Sequence, residues 1–162
     1  MIKHIKCDIF ESGADLILHQ VNCQGVMGSG LAKQVKERYP SVYEDYKEYC
    51  DAYKHNPSLL LGRSVLSITW KNYNTDFQGI VNLFAQERFG RSGECYTDYN
   101  ALRQCLAYVN EMLNWYDRST IAIPYRLGCC RGGGDWSVVY KIIEDIFADS
   151  NCDVLICEYD GG

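Results

Sequence analysis

A three-layer α/β/α domain is the fold class this sequence predicts, on three observations. Short apolar runs suited to strands alternate along the chain with longer segments of helical period. The 162 residues suffice for one domain with a substantial core, since 47% are hydrophobic and only 3 are proline. Strands separated by helices need crossover connections, which produce a mostly parallel sheet covered on both faces.

The elements follow in order. Residues 2–6 and 16–22 form the first two strands, the second ending at Asn22. A helix over 30–39 begins at Gly30 and is stopped by Pro40, and Ser41 can cap the next helix at 42–54. Asn56-Pro57-Ser58 makes a long turn before strands at 64–70 and 79–85. Leu102, Leu106, Val109 and Leu113 recur at steps of four, three and four, marking a third helix over 96–116. A fifth strand spans 120–124. Val139, Ile143, Ile146 and Phe147 mark a fourth helix opening at Asp135, its expected N-cap, before a last strand at 154–159. These six strands imply a mixed, mostly parallel sheet. With no repeat, low-complexity tract or linker, residues 1–162 read as one domain.

Composition excludes several classes. No apolar run approaches membrane-span length, and Met1-Ile2-Lys3-His4-Ile5 lacks a signal-peptide core, so no membrane partner and a cytoplasmic location are expected. The nine cysteines are odd in number and contain no C-x-x-C pair, which reads as reduced thiols rather than a disulfide framework or zinc site. A net charge of −5 without a dense Lys/Arg block argues against a nucleic-acid partner held by its backbone, though not against a nucleotide.

Two glycine-rich turns carry the chemistry. Gly25-Val26-Met27-Gly28-Ser29-Gly30 and Gly128-Cys129-Cys130-Arg131-Gly132-Gly133-Gly134 each follow a strand and open a helix. In that context backbone N–H groups and a helix N-terminus cradle an anion, and two such turns suggest a diphosphate held from both sides. Neither is a P-loop or a G-x-G-x-x-G dinucleotide fingerprint. Close helix–sheet packing is the competing explanation for the first. Three consecutive glycines in the second are costly in backbone entropy unless the conformation demands them. Arg131 beside them pairs with a phosphate or points to solvent.

Other residues also carry two readings. Asp8 can accept from an exocyclic amino group or bond its own turn backbone. His19 is a packed strand residue or, if its ring reaches the crevice, a general base. Asn22 can bond a sugar hydroxyl, tie down the loop, or both. Asp135 is a catalytic carboxylate or simply an N-cap. Tyr125 and Tyr159 are the aromatics placed to stack on a base. Asp8, Asn22 and both glycine turns fall at the carboxyl ends of the strands, where open α/β sheets bind ligands.

The stretch Leu16-Ile17-Leu18-His19-Gln20-Val21-Asn22-Cys23-Gln24-Gly25-Val26-Met27-Gly28-Ser29-Gly30-Leu31-Ala32 resembles the first ligand loop of macrodomains. Arg38-Tyr39-Pro40 and Leu61-Gly62 are similar to that family too. Ile123-Pro124-Tyr125-Arg126-Leu127-Gly128 through Gly134-Asp135-Trp136 resembles its second loop, and Cys7-Asp8-Ile9 its adenine motif. The likeness is greatest to the branch holding terminal ADP-ribose glycohydrolases and the fungal ADP-ribose 1″-phosphate phosphatase.

That resemblance implies a pocket for ADP-ribose or an ADP-ribosylated molecule, with no metal or other cofactor. It implies Asp8 and the Ile9 backbone at adenine, the two loops around the diphosphate and distal ribose, and Asn22 and Gln24 at the ribose end. Glycohydrolases of the branch use a lysine after the fourth strand and a second-loop aspartate. Here Gln86 stands nearest the lysine position, and Asp135 is the nearest acid to the second loop. His19 matches a histidine of the phosphatases, so His19 and then Asp135 are the expected catalytic residues. The implied activity is hydrolysis of a C1″ substituent, with a non-catalytic ADP-ribose reader as the alternative.

Overall fold

The computed structural model describes residues 1–72 and 76–159. Six strands are present: β1 (Ile2–Lys6), β2 (Leu16–Asn22), β3 (Ser64–Asn72), β4 (Asp76–Gln86), β5 (Thr120–Pro124) and β6 (Asp153–Glu158). Four helices accompany them: α1 (Gly30–Arg38), α2 (Pro40–Ala52), α3 (Tyr99–Leu113) and α4 (Trp136–Phe147). The strands form one sheet in the order β1-β6-β5-β2-β4-β3, and only the β3–β4 pair is antiparallel. The predicted mixed, mostly parallel α/β architecture is therefore the observed one.

Alternation along β2 divides the core. Leu16 and Leu18 join Leu102, Leu106, Val139 and Ile143 beneath α3 and α4. Ile17 packs with Val35 and Val42, and Val21 with Tyr46 and Phe84, beneath α1 and α2. Burying the large aliphatic side chains of both layers stabilises the fold by about 1.5–3 kcal/mol each. No helix among the described residues is long and apolar enough to cross a membrane.

Some boundaries differ from expectation for local reasons. Pro40 is the first residue of α2, where its fixed φ fits and its missing N–H costs nothing. Tyr39 ends α1 and precedes α2, so Ser41 lies inside the helix rather than capping it. α3 begins at Tyr99, three residues later than expected. Asp98 caps it by accepting from the Ala101 amide at 2.9 Å, while the Tyr96 and Thr97 amides bond the Gly132 carbonyl instead. Asp135 is the N-cap of α4, accepting from the Ser137 amide.

Candidate functional site

β2 and β5 are parallel neighbours whose chains leave in opposite directions: β2 leads to α1 on one face, β5 to α4 on the other. Such a divergence opens a crevice at the carboxyl ends of the strands. A cavity of about 460 Å³ lies there. His19, Gln20, Val21 and Asn22 of β2 line it, together with Val26, Gly28, Ser29 and Gly30 of the first loop. Across from them stand Tyr125, Arg126, Gly128, Cys130, Arg131 and Gly132. Gln86 at the end of β4, with Phe89, Gly90 and Arg91 after it, adds a third wall.

The first loop is tied from below. Asn22 Nδ2 donates to the Val26 carbonyl at 2.8 Å, and Asn22 Oδ1 accepts from the Gln24 amide at 2.9 Å. The buried Tyr46 hydroxyl donates to Asn22 Oδ1 at 2.8 Å and accepts from the Val26 amide at 3.1 Å. Asn22 thus serves the loop backbone while also lining the cavity. Ser29 precedes α1 without a side-chain hydrogen bond to it, and no acid occupies the first turn. The α1 N-terminus therefore meets the cavity with its dipole unneutralised, an arrangement that favours an anion.

The second loop is seated on residues 94–97. Thr97 Oγ1 donates to the Gly128 carbonyl at 2.7 Å and accepts from Gln20 Nε2 at 2.9 Å, and Gln20 also donates to Gln86 Oε1 at 2.8 Å. Gly133 has φ +68°, and a Cβ there would sit 2.5 Å from the Glu94 carbonyl. A Cβ at Gly132 would lie 2.4 Å from Thr97 Oγ1. The glycine triplet is thus required by close backbone packing. Arg126, non-glycine at φ +62°, is held in the sparsely populated left-handed region on the cavity wall.

His19 lines the cavity and is 1% exposed. Its Nε2 lies 2.6 Å from Oδ1 of Asn82, the residue beside it in register on β4. That carbonyl oxygen accepts, so Nε2 carries the proton and Nδ1 is left a buried acceptor with no protein partner. Burial lowers the His19 pKa to about 4, against a smaller opposing effect of the Asn82 hydrogen bond. The ring is neutral at pH 7. Its Nδ1 lone pair is left free to accept a hydrogen bond, while the same burial that lowers the pKa weakens it as a base.

Not every residue expected at the site borders this cavity. Asp8 Oδ1 accepts from the Phe10 amide at 3.0 Å and Oδ2 lies 3.8 Å from Arg38, while Ile9 is buried beside Val35. Gln24 reaches the Glu87 carbonyl at 3.0 Å, Gly25 turns the chain at φ +81°, and Met27 packs into the core beside Tyr46. Cys129 is buried, its thiol pushed up to about 11 by desolvation. Gly133, Gly134 and Asp135 lie behind the lining residues. The Asp135 carboxylate accepts from both the Ser137 hydroxyl and amide, which hold its pKa below the ordinary value. Tyr125 borders the cavity, whereas Tyr159 is an exposed residue away from it.

Sequence reasoning missed Asn82 and the Phe89–Arg91 wall. Asn82 carried a signal, being the one polar residue of the apolar run 79–85. Among the described residues, no group of three His, Cys, Asp or Glu side chains is placed to hold a metal ion.

No protein-family model matches the chain. An ADP-ribose 1″-phosphate phosphatase of Debaryomyces hansenii is 38% identical over 72 residues, covering 41% of this chain and 40% of that protein. The chain therefore matches less than half the length of that relative. An uncharacterized 17.5 kDa protein of Enterobacteria phage T4 is 30% identical across 99% of the chain and 97% of its own length. Among solved structures, the macrodomain of Mycobacterium tuberculosis DarG superposes with a TM-score of 0.74 at 24% identity, covering 97% of each chain. Thermosipho africanus DarTG in complex with ADP-ribose superposes with a TM-score of 0.77 at 22% identity, over 97% of this chain and 41% of that one.

Proposed function

We propose that this chain, whose fold is that of the DarG macrodomain and which matches part of an ADP-ribose 1″-phosphate phosphatase, is a macrodomain that binds ADP-ribose and hydrolyses a substituent at C1″ of the distal ribose. The observation that carries this reading is His19, a neutral ring that lines the cavity between the two glycine loops and whose buried Nδ1 has no protein partner. The α1 N-terminus and the first-loop amides hold one side of the diphosphate. The second loop, with Arg126 and Arg131, holds the other. His19 Nδ1 accepts a proton from the attacking water, and loop amides stabilise the charge that develops on the leaving side. With a phosphate substituent, water adds to phosphorus as the P–O1″ bond breaks, releasing phosphate and ADP-ribose. Acetyl and protein carboxylate esters present a comparable target at the same place.

His19→Ala is expected to abolish release of phosphate from ADP-ribose 1″-phosphate in single-turnover assays, while calorimetry finds ADP-ribose affinity within a few-fold of wild type. Turnover that survives the substitution on phosphate, acetyl and protein-ester substrates removes His19 from the chemistry. A second reading, an ADP-ribose reader without turnover, is favoured by Gln86 at the position where the family resemblance implies a lysine and by the engagement of Asp135 in capping α4. A wild-type protein that binds ADP-ribose but turns over none of the three substrates establishes it.

The wider setting belongs to the same proposal. Residues 1–162 act as one macrodomain. A reducing compartment such as the cytoplasm suits nine cysteines that are all free thiols. The partner is ADP-ribose or a molecule bearing it, and a net charge of −5 argues against holding bare nucleic acid.

A further inference from the structure

Gln86, Gln20 and Thr97 form a chain of hydrogen bonds that runs in one direction only. The Arg88 carbonyl can only accept, so Gln86 turns Nε2 toward it at 2.9 Å and presents Oε1 the other way. Gln86 Oε1 accepts from Gln20 Nε2 at 2.8 Å, and the same Nε2 donates to Thr97 Oγ1 at 2.9 Å. The Thr97 hydroxyl passes its own proton to the Gly128 carbonyl at 2.7 Å. A flipped Gln20 amide would set two oxygens against each other at Gln86, so every donor is assigned from the Arg88 end. This orientation leaves Gln20 Oε1 buried without a partner. An orphaned acceptor is destabilising, so the chain of bonds is kept in spite of it.

The chain meets all three walls of the cavity. Gln86 and Thr97 face each other as an isolated antiparallel bridge, which pinches 87–96 into a loop bearing Phe89 and Arg91. The second loop sits directly on the chain. A Cβ at Gly128 would lie 2.7 Å from Gln20 Oε1 and 3.0 Å from Thr97 Oγ1, and one at Gly132 would collide with Thr97 Oγ1. The entry to the first loop is joined through backbone, since the Cys23 amide and Gln24 Nε2 donate to the Glu87 carbonyl at 3.1 and 3.0 Å. Gln86 and Thr97 are both buried, so their bonds are shielded from competing water.

We infer that Gln86 is a positioning residue, the junction that holds the wall after β4 and the second loop at a fixed spacing through Gln20 and Thr97. Its amide is engaged at both ends, by the Arg88 carbonyl and by Gln20. Removing that amide takes one acceptor from Gln20 Nε2 and frees the Gln20 side chain to turn. Thr97 then loses its donor, and the Gly128 carbonyl loses a fixed hydroxyl. A lysine in place of Gln86 could donate to Arg88 but could not accept from Gln20, so the chain would end there. The consequence for ligand affinity rests on the proposed function, whereas the tie between the walls exists without any ligand.

Amide hydrogen exchange on the unliganded protein tests the tie. The Cys129 and Gly134 amides, bonded to the Arg126 and Gly128 carbonyls, report the order of the second loop. Gln86→Met keeps the side-chain length without the amide, and is expected to speed exchange at both by about tenfold while α3 amides keep wild-type rates. Where Gln86→Met fails to fold, Gln86→Asn, one methylene too short to bridge, takes its place with the same expectation. Thr97→Val is expected to loosen the same amides, and Thr97→Ser to retain wild-type rates. Because the bonds act in series, the double variant Gln86→Met/Thr97→Val is expected not to exceed the larger single effect. Calorimetry is expected to show ADP-ribose affinity falling by a similar factor in Gln86→Met and Thr97→Val. Second-loop amides that keep wild-type rates in both Gln86 variants overturn the inference. So does an acceleration shared by every amide, or effects that multiply in the double variant. A wild-type chain that binds no ADP-ribose fails the proposed function alone, since the exchange pattern needs no ligand.

Discussion

At the residue scale, the consequence of burying His19 extends to stability. The folded ring titrates near 4, below its ordinary 6.5. Between those values unfolding takes up a proton that the folded protein does not hold. The contribution is complete above pH 6.5 and is lost as pH falls toward 4, by on the order of 3 kcal/mol. Urea midpoints measured above and below this window are expected to fall more for wild type than for His19→Gln. Equal falls would show that His19 titrates as freely folded as unfolded. His19 was legible as a candidate because it interrupts an apolar strand just before a glycine loop. Its tautomer was not, because that depends on Asn82, a neighbour 63 positions away that only the strand register brings alongside.

At the scale of elements, the two glycine loops turn out to be held differently. Side chains tie the first, through Asn22 and Tyr46, whereas the second rests on residues 94–97 by close backbone packing and the Tyr96 and Thr97 amides, with the Thr97 hydroxyl as the one side-chain tie from that segment. Gly133→Ala is therefore expected to cost about 2 kcal/mol or more, from the left-handed φ and the contact with the Glu94 carbonyl together. Chemical unfolding reads that loss, and an unchanged midpoint would mean the loop re-seats without strain. The glycine triplet was visible in sequence, but its packing partner was not. β1, β2 and β5 were legible to the residue, β5 because its apolar run ends sharply at Pro124. The third helix was overextended at both ends. Its apolar period could not reveal that the Tyr96 and Thr97 amides are engaged by Gly132.

At the scale of the whole molecule, the ADP-ribose of the proposed function would reach Asp8 by running across the strand ends from the crevice at β2 and β5 toward β1. Asp8 follows β1, and β6 lies between β1 and β5. If the adenine end reaches it, Asp8→Ala is expected to weaken ADP-ribose binding by roughly 1–3 kcal/mol, the cost of leaving a polar group unpaired. Ribose 5-phosphate, which lacks adenine, should bind wild type and variant alike. Equal ADP-ribose affinity for the two proteins would confine Asp8 to its observed contacts with Phe10 and Arg38. The layered fold was readable because alternation of strand and helix dictates it. The three-walled cavity was not, since the segment after β4 has no periodicity and its position follows from tertiary contacts.

The walls of that cavity differ in how much change they tolerate. The second loop is fixed by contacts in which a single added methyl group would collide with backbone or with Thr97. Phe89 and Arg91, on the wall after β4, make no hydrogen bond or ion pair among the described residues and project at the cavity mouth. Substitution at these two positions is expected to alter what the mouth admits while leaving the packing of the second loop untouched. Under the proposed function, drift at this wall would shift such a protein from one ADP-ribosylated molecule to another with the opposite wall unaltered.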